Sequence, residues 1–192
     1  RFVLTTNADG TVRVFRDADI FIVNAILGPA AVGLYKIARV LTRALAQFTG
    51  PFYQAIYPEL TRLFTENKVN VAIKLMKQSS LTLGMIVGSL WIAFYIFGPG
   101  LLPVIFDEQY IDAYQVSIWC MAAMVAWAFS QPLSPAMLAL GRPGISLIIH
   151  IVTTIIYIAL LWGLTTSFGL VGAGLALMIF YIVWSLSMFF AC

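Results

Sequence analysis

Six apolar runs dominate the chain, covering about residues 1–28, 33–57, 75–97, 114–138, 145–166 and 170–192. Each is close to or above the roughly 20 residues that a helix needs to cross a bilayer. Glycine and proline punctuate them. Gly28-Pro29 lets the chain reverse after the first run. The second begins near Val32, should kink at Gly50-Pro51 and finishes at Tyr57-Pro58. The third is expected to stop at Gly98-Pro99-Gly100, leaving 101–106 as a re-entrant or interfacial piece too short to span. Pro132 and Pro135 lie near the end of the fourth. Gly141-Arg142-Pro143-Gly144 opens the fifth, and the small residues of 169–174 turn into the sixth. The pattern predicts an all-α membrane protein with six transmembrane helices.

Polar positions break this pattern in one place. The first run carries Asp9, Arg13, Arg16, Asp17 and Asp19, and the second carries Lys36, Arg39 and Arg43. At about 100° per residue, the five charges of the first fall within an arc of about 160°. Lys36, Arg39, Arg43, Gln47, Gly50 and Gln54 fall within a stripe of about 80° on the second. The other faces, with Val14, Phe21 and Ile22 on one run and Leu34, Ile37, Leu41 and Leu45 on the other, suit lipid or a protein core. Charge inside a membrane costs several kcal/mol unless paired or hydrated, so two helices that confine it to one side read as walls of a wet cavity. The competing reading is internal neutralisation, with Asp17 and Asp19 pairing Arg39 and Arg43 across the hairpin. Pairing leaves a surplus, because residues 1–57 hold six Lys/Arg against three Asp, and the rest of the chain balances five against five.

Composition agrees with a membrane setting. The 192 residues are 61% hydrophobic and 10% charged, with a mean hydropathy of +0.95, which no ordinary soluble domain reaches. Arg1 in place of an initiator Met, and Cys192 inside an apolar run, read as a piece of a longer polytopic protein. The net charge of +3 does not point to nucleic acid, since the positive groups lie in apolar helices. Cys120 and Cys192 lack metal-ligand spacing and read as buried, reduced thiols.

Arg62, Lys68, Lys74, Lys77 and Arg142 all lie in the connections after the second and fourth runs, while the opposite connections carry no Lys or Arg. By the positive-inside rule, 59–77 and 141–144 are cytoplasmic and 28–33 lies outside. Segments 27–34 and 168–175 share a glycine-spaced pattern that reads either as a repeated hairpin or as small-residue packing used twice.

No catalytic constellation, phosphate loop or paired histidine is present, so neither an enzyme nor a cofactor or metal is expected. His150 shares a helical face with Thr153, Thr154 and Tyr157, where a packing histidine is favoured over a proton relay. Ser130, Gln131 and Ser134 form a polar patch that either touches substrate or satisfies the break at Pro132. The informative chemistry is the basic stripe, because guanidinium groups bind phosphate in bidentate fashion and a diphosphate headgroup suits them.

Thr5-Thr6-Asn7, Val12-Arg13, Arg16-Asp17-Ala18-Asp19 and Leu27-Gly28-Pro29-Ala30-Ala31-Val32-Gly33-Leu34-Tyr35 together resemble the middle of a bacterial polysaccharide flippase. Pro51-Phe52-Tyr53-Gln54-Ala55-Ile56-Tyr57-Pro58-Glu59-Leu60, Ala139-Leu140-Gly141-Arg142 and Gly169-Leu170-Val171-Gly172 continue the resemblance. The family is the Wzx-type oligosaccharide translocase group of the multidrug/oligosaccharidyl-lipid/polysaccharide superfamily. The resemblance implies a bacterial inner-membrane protein of about twelve helices in two lobes around a cavity, with this chain as most of the second lobe. It implies alternating-access movement of undecaprenyl-pyrophosphate-linked sugar units for exopolysaccharide or O-antigen synthesis.

By position, Arg13, Arg16, Arg39 and Arg43 are then the headgroup-binding arginines, with Lys36, Asn7, Gln47 and Gln54 as further cavity residues. Asp9, Asp17 and Asp19 tune the charge or carry a coupling cation or proton. Partners expected on this reading are the lipid-linked oligosaccharide, membrane lipids, the first lobe of the same chain, and the polysaccharide polymerase and chain-length proteins. The rival readings are a cation-coupled multidrug exporter of the same superfamily, a membrane-embedded polymerase, and a non-transporting scaffold. The exporter favours a carboxylate-dominated cavity, and the polymerase a large external loop that the chain lacks.

Overall fold

A computed structural model describes residues 19–106 and 111–192. It is all-helical, with no strand among the described residues: α1 (Asp19–Leu27), α2 (Pro29–Thr65), α3 (Val69–Phe106), α4 (Ala113–Ser130), α5 (Leu133–Ala139) and α6 (Pro143–Ala191). Helix α4 sits centrally, packed most extensively on α6 and then on α2 and α3, while α1 lies against α2 and α6.

Two glycine reversals fold the chain double. Gly28 adopts φ 82° and ψ 177°, a left-handed backbone that favours glycine, and Pro29 then opens α2 with the fixed φ a first helical turn prefers. Within α6, Gly169 adopts φ 60° and ψ −141°, which no helix contains. A straight helix would put His150 and Trp184 about 50 Å apart, yet their ring centroids are 5.4 Å apart. A Cβ on Gly172 would overlap the Leu164 carbonyl, because the two arms touch just beyond the bend. Helix α6 is therefore two antiparallel arms, 143–168 and 170–191. The glycine-spaced segments 27–34 and 168–175 both prove to be tight, positive-φ hairpins.

Three helical stretches are long and apolar enough to cross a membrane among the described residues: α3, the α4–α5 stretch Ala113–Ala139, and α6. The expected count of six separate spans is thus not supported. Only nine residues of the first run are described as helix, α2 carries Lys36, Arg39 and Arg43, and the fifth and sixth runs share α6. Outward faces of α3 and α6 expose Met85, Ile92, Ile96, Val104, Ile148, Ile155 and Phe189, as a lipid-facing surface would. Inward, Val23, Tyr35, Val87, Val116, Cys120, Leu161, Leu177 and Phe180 form one core. Cys120 is buried in it as expected, whereas Cys192 is exposed.

Prolines that were expected to end helices do not. Helix α2 continues through Pro58 to Thr65, because Leu60 and Leu63 bury themselves against Ala72 and Ala136 and outweigh one lost hydrogen bond. Thr61 Oγ1 donates to the Tyr57 carbonyl nearby at 2.9 Å. Helix α3 likewise runs through Gly98-Pro99-Gly100 to Phe106, so 101–106 is neither re-entrant nor separate. Pro99 frees the carbonyl of Tyr95, and the Tyr114 hydroxyl of α4 donates to that carbonyl at 2.6 Å. The tyrosine ring reaches it only because residue 98 is glycine: a Cβ there would sit 2.8 Å from Tyr114 Cε2.

Helices α2 and α5 end in the same way, with Asn67 (φ 57°) and Gly141 (φ 71°) in the left-handed region. In each, the following amide reaches back five residues: Lys68 N to Leu63 O at 2.9 Å, Arg142 N to Met137 O at 3.0 Å. The small second core of Ile56, Leu60, Leu63, Ala72 and Ala136 joins these two ends. The basic connections 59–77 and 141–144 therefore lie at one end of the bundle, as their shared cytoplasmic assignment requires.

Candidate functional site

Asp19, at the first turn of α1, is 1% exposed and forms the centre of a buried polar node. Its Oδ2 accepts hydrogen bonds from the Tyr35 hydroxyl of α2 at 2.7 Å and the Tyr157 hydroxyl of α6 at 3.1 Å. Arg39 Nε lies 3.3 Å from the same oxygen in an ion-pair contact, with the arginine 7% exposed overall. One carboxylate oxygen thus ties three helices together. The Gly28 reversal makes this possible by laying the start of α1 beside the second turn of α2. Tyr35 and Arg39 are four residues apart, so they share a helix face. Burial strengthens each contact, since little water competes for the charges.

The other polar residues of the stripe on α2 face outward. Lys36, Arg43, Gln47 and Gln54 are all exposed, within an arc of about 40°. Arg39 lies about 60° from the middle of that arc, far enough round to turn inward. The stripe read from sequence as one surface is therefore divided: Arg39 joins the buried node, and the other four line an open face of α2. Among the described residues, Asp19 is the only acidic group before Glu59. Asn7, Asp9, Arg13, Arg16 and Asp17 lie outside the described residues.

Sequence reasoning missed Tyr35 and Tyr157 as partners of this site. The signal available for Tyr35 was its four-residue spacing from Arg39. Tyr157 stood out only with His150, Thr153 and Thr154, and these four are indeed buried together on one face of the first arm of α6. His150 packs against the Trp184 ring. Ser130 and Ser185 hydrogen-bond across α4 and α6, and Ser130 also donates to the Ala126 carbonyl at 3.1 Å. Of the polar patch at 130–134, Ser130 thus ties α4 to α6.

At the far end of α2 the charges are exposed and paired. Arg62 donates to Glu59 at 2.6 Å and lies 3.9 Å from Glu66, while Lys68 donates to Glu66 at 2.7 Å. The Glu59 hydrogen bond raises the pKa of Arg62, and the Lys68 hydrogen bond lowers that of Glu66. No cluster of three or more metal-ligating side chains occurs among the described residues.

No protein-family model and no solved structure matches the chain. Two curated proteins do. The chain is 31% identical over 116 residues to "Inner membrane protein YghQ" of Escherichia coli (strain K12), a match covering 60% of this chain and 32% of the relative. It is 26% identical over 161 residues to "Putative O-antigen transporter" of Shigella flexneri, covering 82% of this chain and 37% of the relative. The chain spans about a third of the length of each. These distant relatives indicate a membrane transporter family, and the apolar helices agree with a multi-pass membrane protein.

Proposed function

We propose that this chain is the greater part of the second lobe of a Wzx-type flippase of the bacterial inner membrane. On this reading it moves undecaprenyl-pyrophosphate-linked oligosaccharide units across the membrane for exopolysaccharide or O-antigen synthesis. The observation that carries the proposal is the open face of α2 bearing Lys36, Arg43, Gln47 and Gln54. Its charge is positive, it lies beside apolar spans, and Asp19, the first acidic group among the described residues, faces Arg39. A diphosphate carries the complementary charge, and the amides of Gln47 and Gln54 offer hydrogen bonds to sugar hydroxyls.

In this proposal Arg13, Arg16 and Asn7 take part in headgroup binding, and Asp9 and Asp17 tune the charge. Arg39 and Asp19 hold the wall in place. Apposition to a first lobe closes the cavity, and rocking of the lobes alternates its access. Pro51 within α2 is the better hinge, since Tyr114 braces α3 at Gly98-Pro99. The protein performs no covalent chemistry, and the polymerase and chain-length proteins act on the delivered units. The multidrug-exporter alternative wants a carboxylate-dominated cavity; Asp19 facing Arg39 works against it.

The test is polysaccharide export in a deletion strain complemented with Lys36→Ala/Arg43→Ala. Export should fall at least tenfold at unchanged membrane abundance, with lipid-linked units accumulating in the cytoplasmic leaflet. Normal export, or a drug-sensitivity phenotype with export intact, refutes the proposal.

A further inference from the structure

Helix α3 enters the bundle through an unusual first two turns. At about 100° per residue, Val69, Ile73, Lys77, Leu81, Lys74 and Val71 lie within an arc of about 200° that also holds Asn70, Gln78 and Ser80. All six are exposed, with Val69, Val71, Ile73 and Leu81 between 43% and 56%. Ala72, Leu75 and Met76 turn to the opposite side and pack against Leu60, Leu63 and Phe64 of α2 and Ala136 and Ala139 of α5. That small core fixes the rotation of the helix, so the two lysines are held on an outward surface shared by apolar residues and the uncharged Asn70 and Gln78.

Their electrostatic situation differs from that of their neighbours. Glu59 and Glu66 are taken up by Arg62 and Lys68. Neither Lys74 nor Lys77 has an ion pair with any described acidic residue. Residues 78–106 carry no charge, and at 1.5 Å per residue they rise about 43 Å, enough to traverse the hydrocarbon and reach the headgroups. Lys77 therefore stands at the membrane boundary and Lys74 one turn further out, where a long amine extends toward phosphate while its methylenes stay among apolar neighbours.

We propose that this face of α3 is a binding site for anionic phospholipid headgroups of the surrounding bilayer. Lys74 and Lys77 contact the phosphates, and Leu81, about one turn nearer the membrane centre than Lys77, lies against the upper acyl carbons. Charge complementarity favours this occupant, as does the continuity of the site with the lipid-facing surface that begins at Leu81. The assignment is independent of what the protein transports.

The full-length protein in detergent, titrated with phosphatidylglycerol or phosphatidylcholine and followed by thermal shift, provides the test. Phosphatidylglycerol should stabilise the wild type at a lower concentration than phosphatidylcholine. Lys74→Gln/Lys77→Gln should raise the half-saturating phosphatidylglycerol concentration at least tenfold, at roughly fivefold per lysine. Lys68→Gln, which removes a paired lysine of the same end, should change it less than twofold. Equal phosphatidylglycerol affinity in the double variant, or an equal loss in Lys68→Gln, overturns the site. If the double variant does not accumulate, Lys77→Gln alone decides: about a fivefold loss supports the proposal and no change overturns it.

Discussion

Replacing Asp19 with alanine removes the oxygen that accepts from Tyr35 and Tyr157 and faces Arg39 at 3.3 Å. The Arg39 side chain, 9% exposed, would keep its charge without that counterion. Removing one partner of a buried ion pair costs about 3–5 kcal/mol. The two tyrosine hydroxyls lose a partner as well, at about 1–3 kcal/mol each if neither finds another, though such losses within one node do not add. Taking 3–5 kcal/mol as the net, and about 2–4 °C per kcal/mol for a unit of this size, the midpoint should fall by about 10 °C.

The double variant Asp19→Leu/Arg39→Met removes both charges and fills the space with apolar groups, which is often close to neutral. It should regain the part of the loss that comes from the unbalanced charge, while the two tyrosine hydroxyls still lack the Asp19 oxygen. Thermal unfolding of the detergent-solubilised full-length protein, monitored by size-exclusion fluorescence, reads both. A single variant within 2 °C of wild type, or a double variant as unstable as the single, would refute the reasoning. Export adds a separate discrimination. If Arg39 acts through Asp19 to hold α2 in place, the double variant still exports; if Arg39 grips the headgroup, export stays lost while stability returns.

Two further consequences are independent of that node. Tyr114→Phe should cost about 1–2 kcal/mol by leaving the Tyr95 carbonyl unpaired, and Pro99→Ala in the same chain should recover it by restoring a helical amide donor; unfolding midpoints of the three proteins check this. The Glu66 carboxyl is held below its ordinary range by Lys68, so its contribution to stability is present above the unfolded-state value and lost as pH falls through the lower folded value. Lys68→Ala should move the Glu66 titration upward, read by carbon-13 NMR of a selectively labelled sample; an unmoved titration would contradict the pairing.

The shared face of the α2 stripe was legible in the sequence, but not its division. Periodicity places Lys36, Arg39, Arg43, Gln47 and Gln54 on one side of a helix, and their charges allow internal pairing of Asp19 with Arg39. A wheel cannot say which way a residue at the edge of a stripe turns, because a long side chain can swing into the bundle or away from it. The positions of Tyr35, in the next element, and Tyr157, 138 residues from Asp19, settle that question for Arg39.

Apolar runs, basic connections at one end and reversal points at Gly28 and Gly169 were determined by the sequence itself. Hydropathy, charge and the φ restriction of non-glycine residues are local properties of the chain. Whether Pro58 and Pro99 end their helices was not local. Their missing amides cost little once Leu60 and Leu63 find a core with Ala72 and Ala136, and once the Tyr114 hydroxyl reaches the Tyr95 carbonyl from another helix. Those compensations come from distant parts of the chain, so only the packed bundle could decide them.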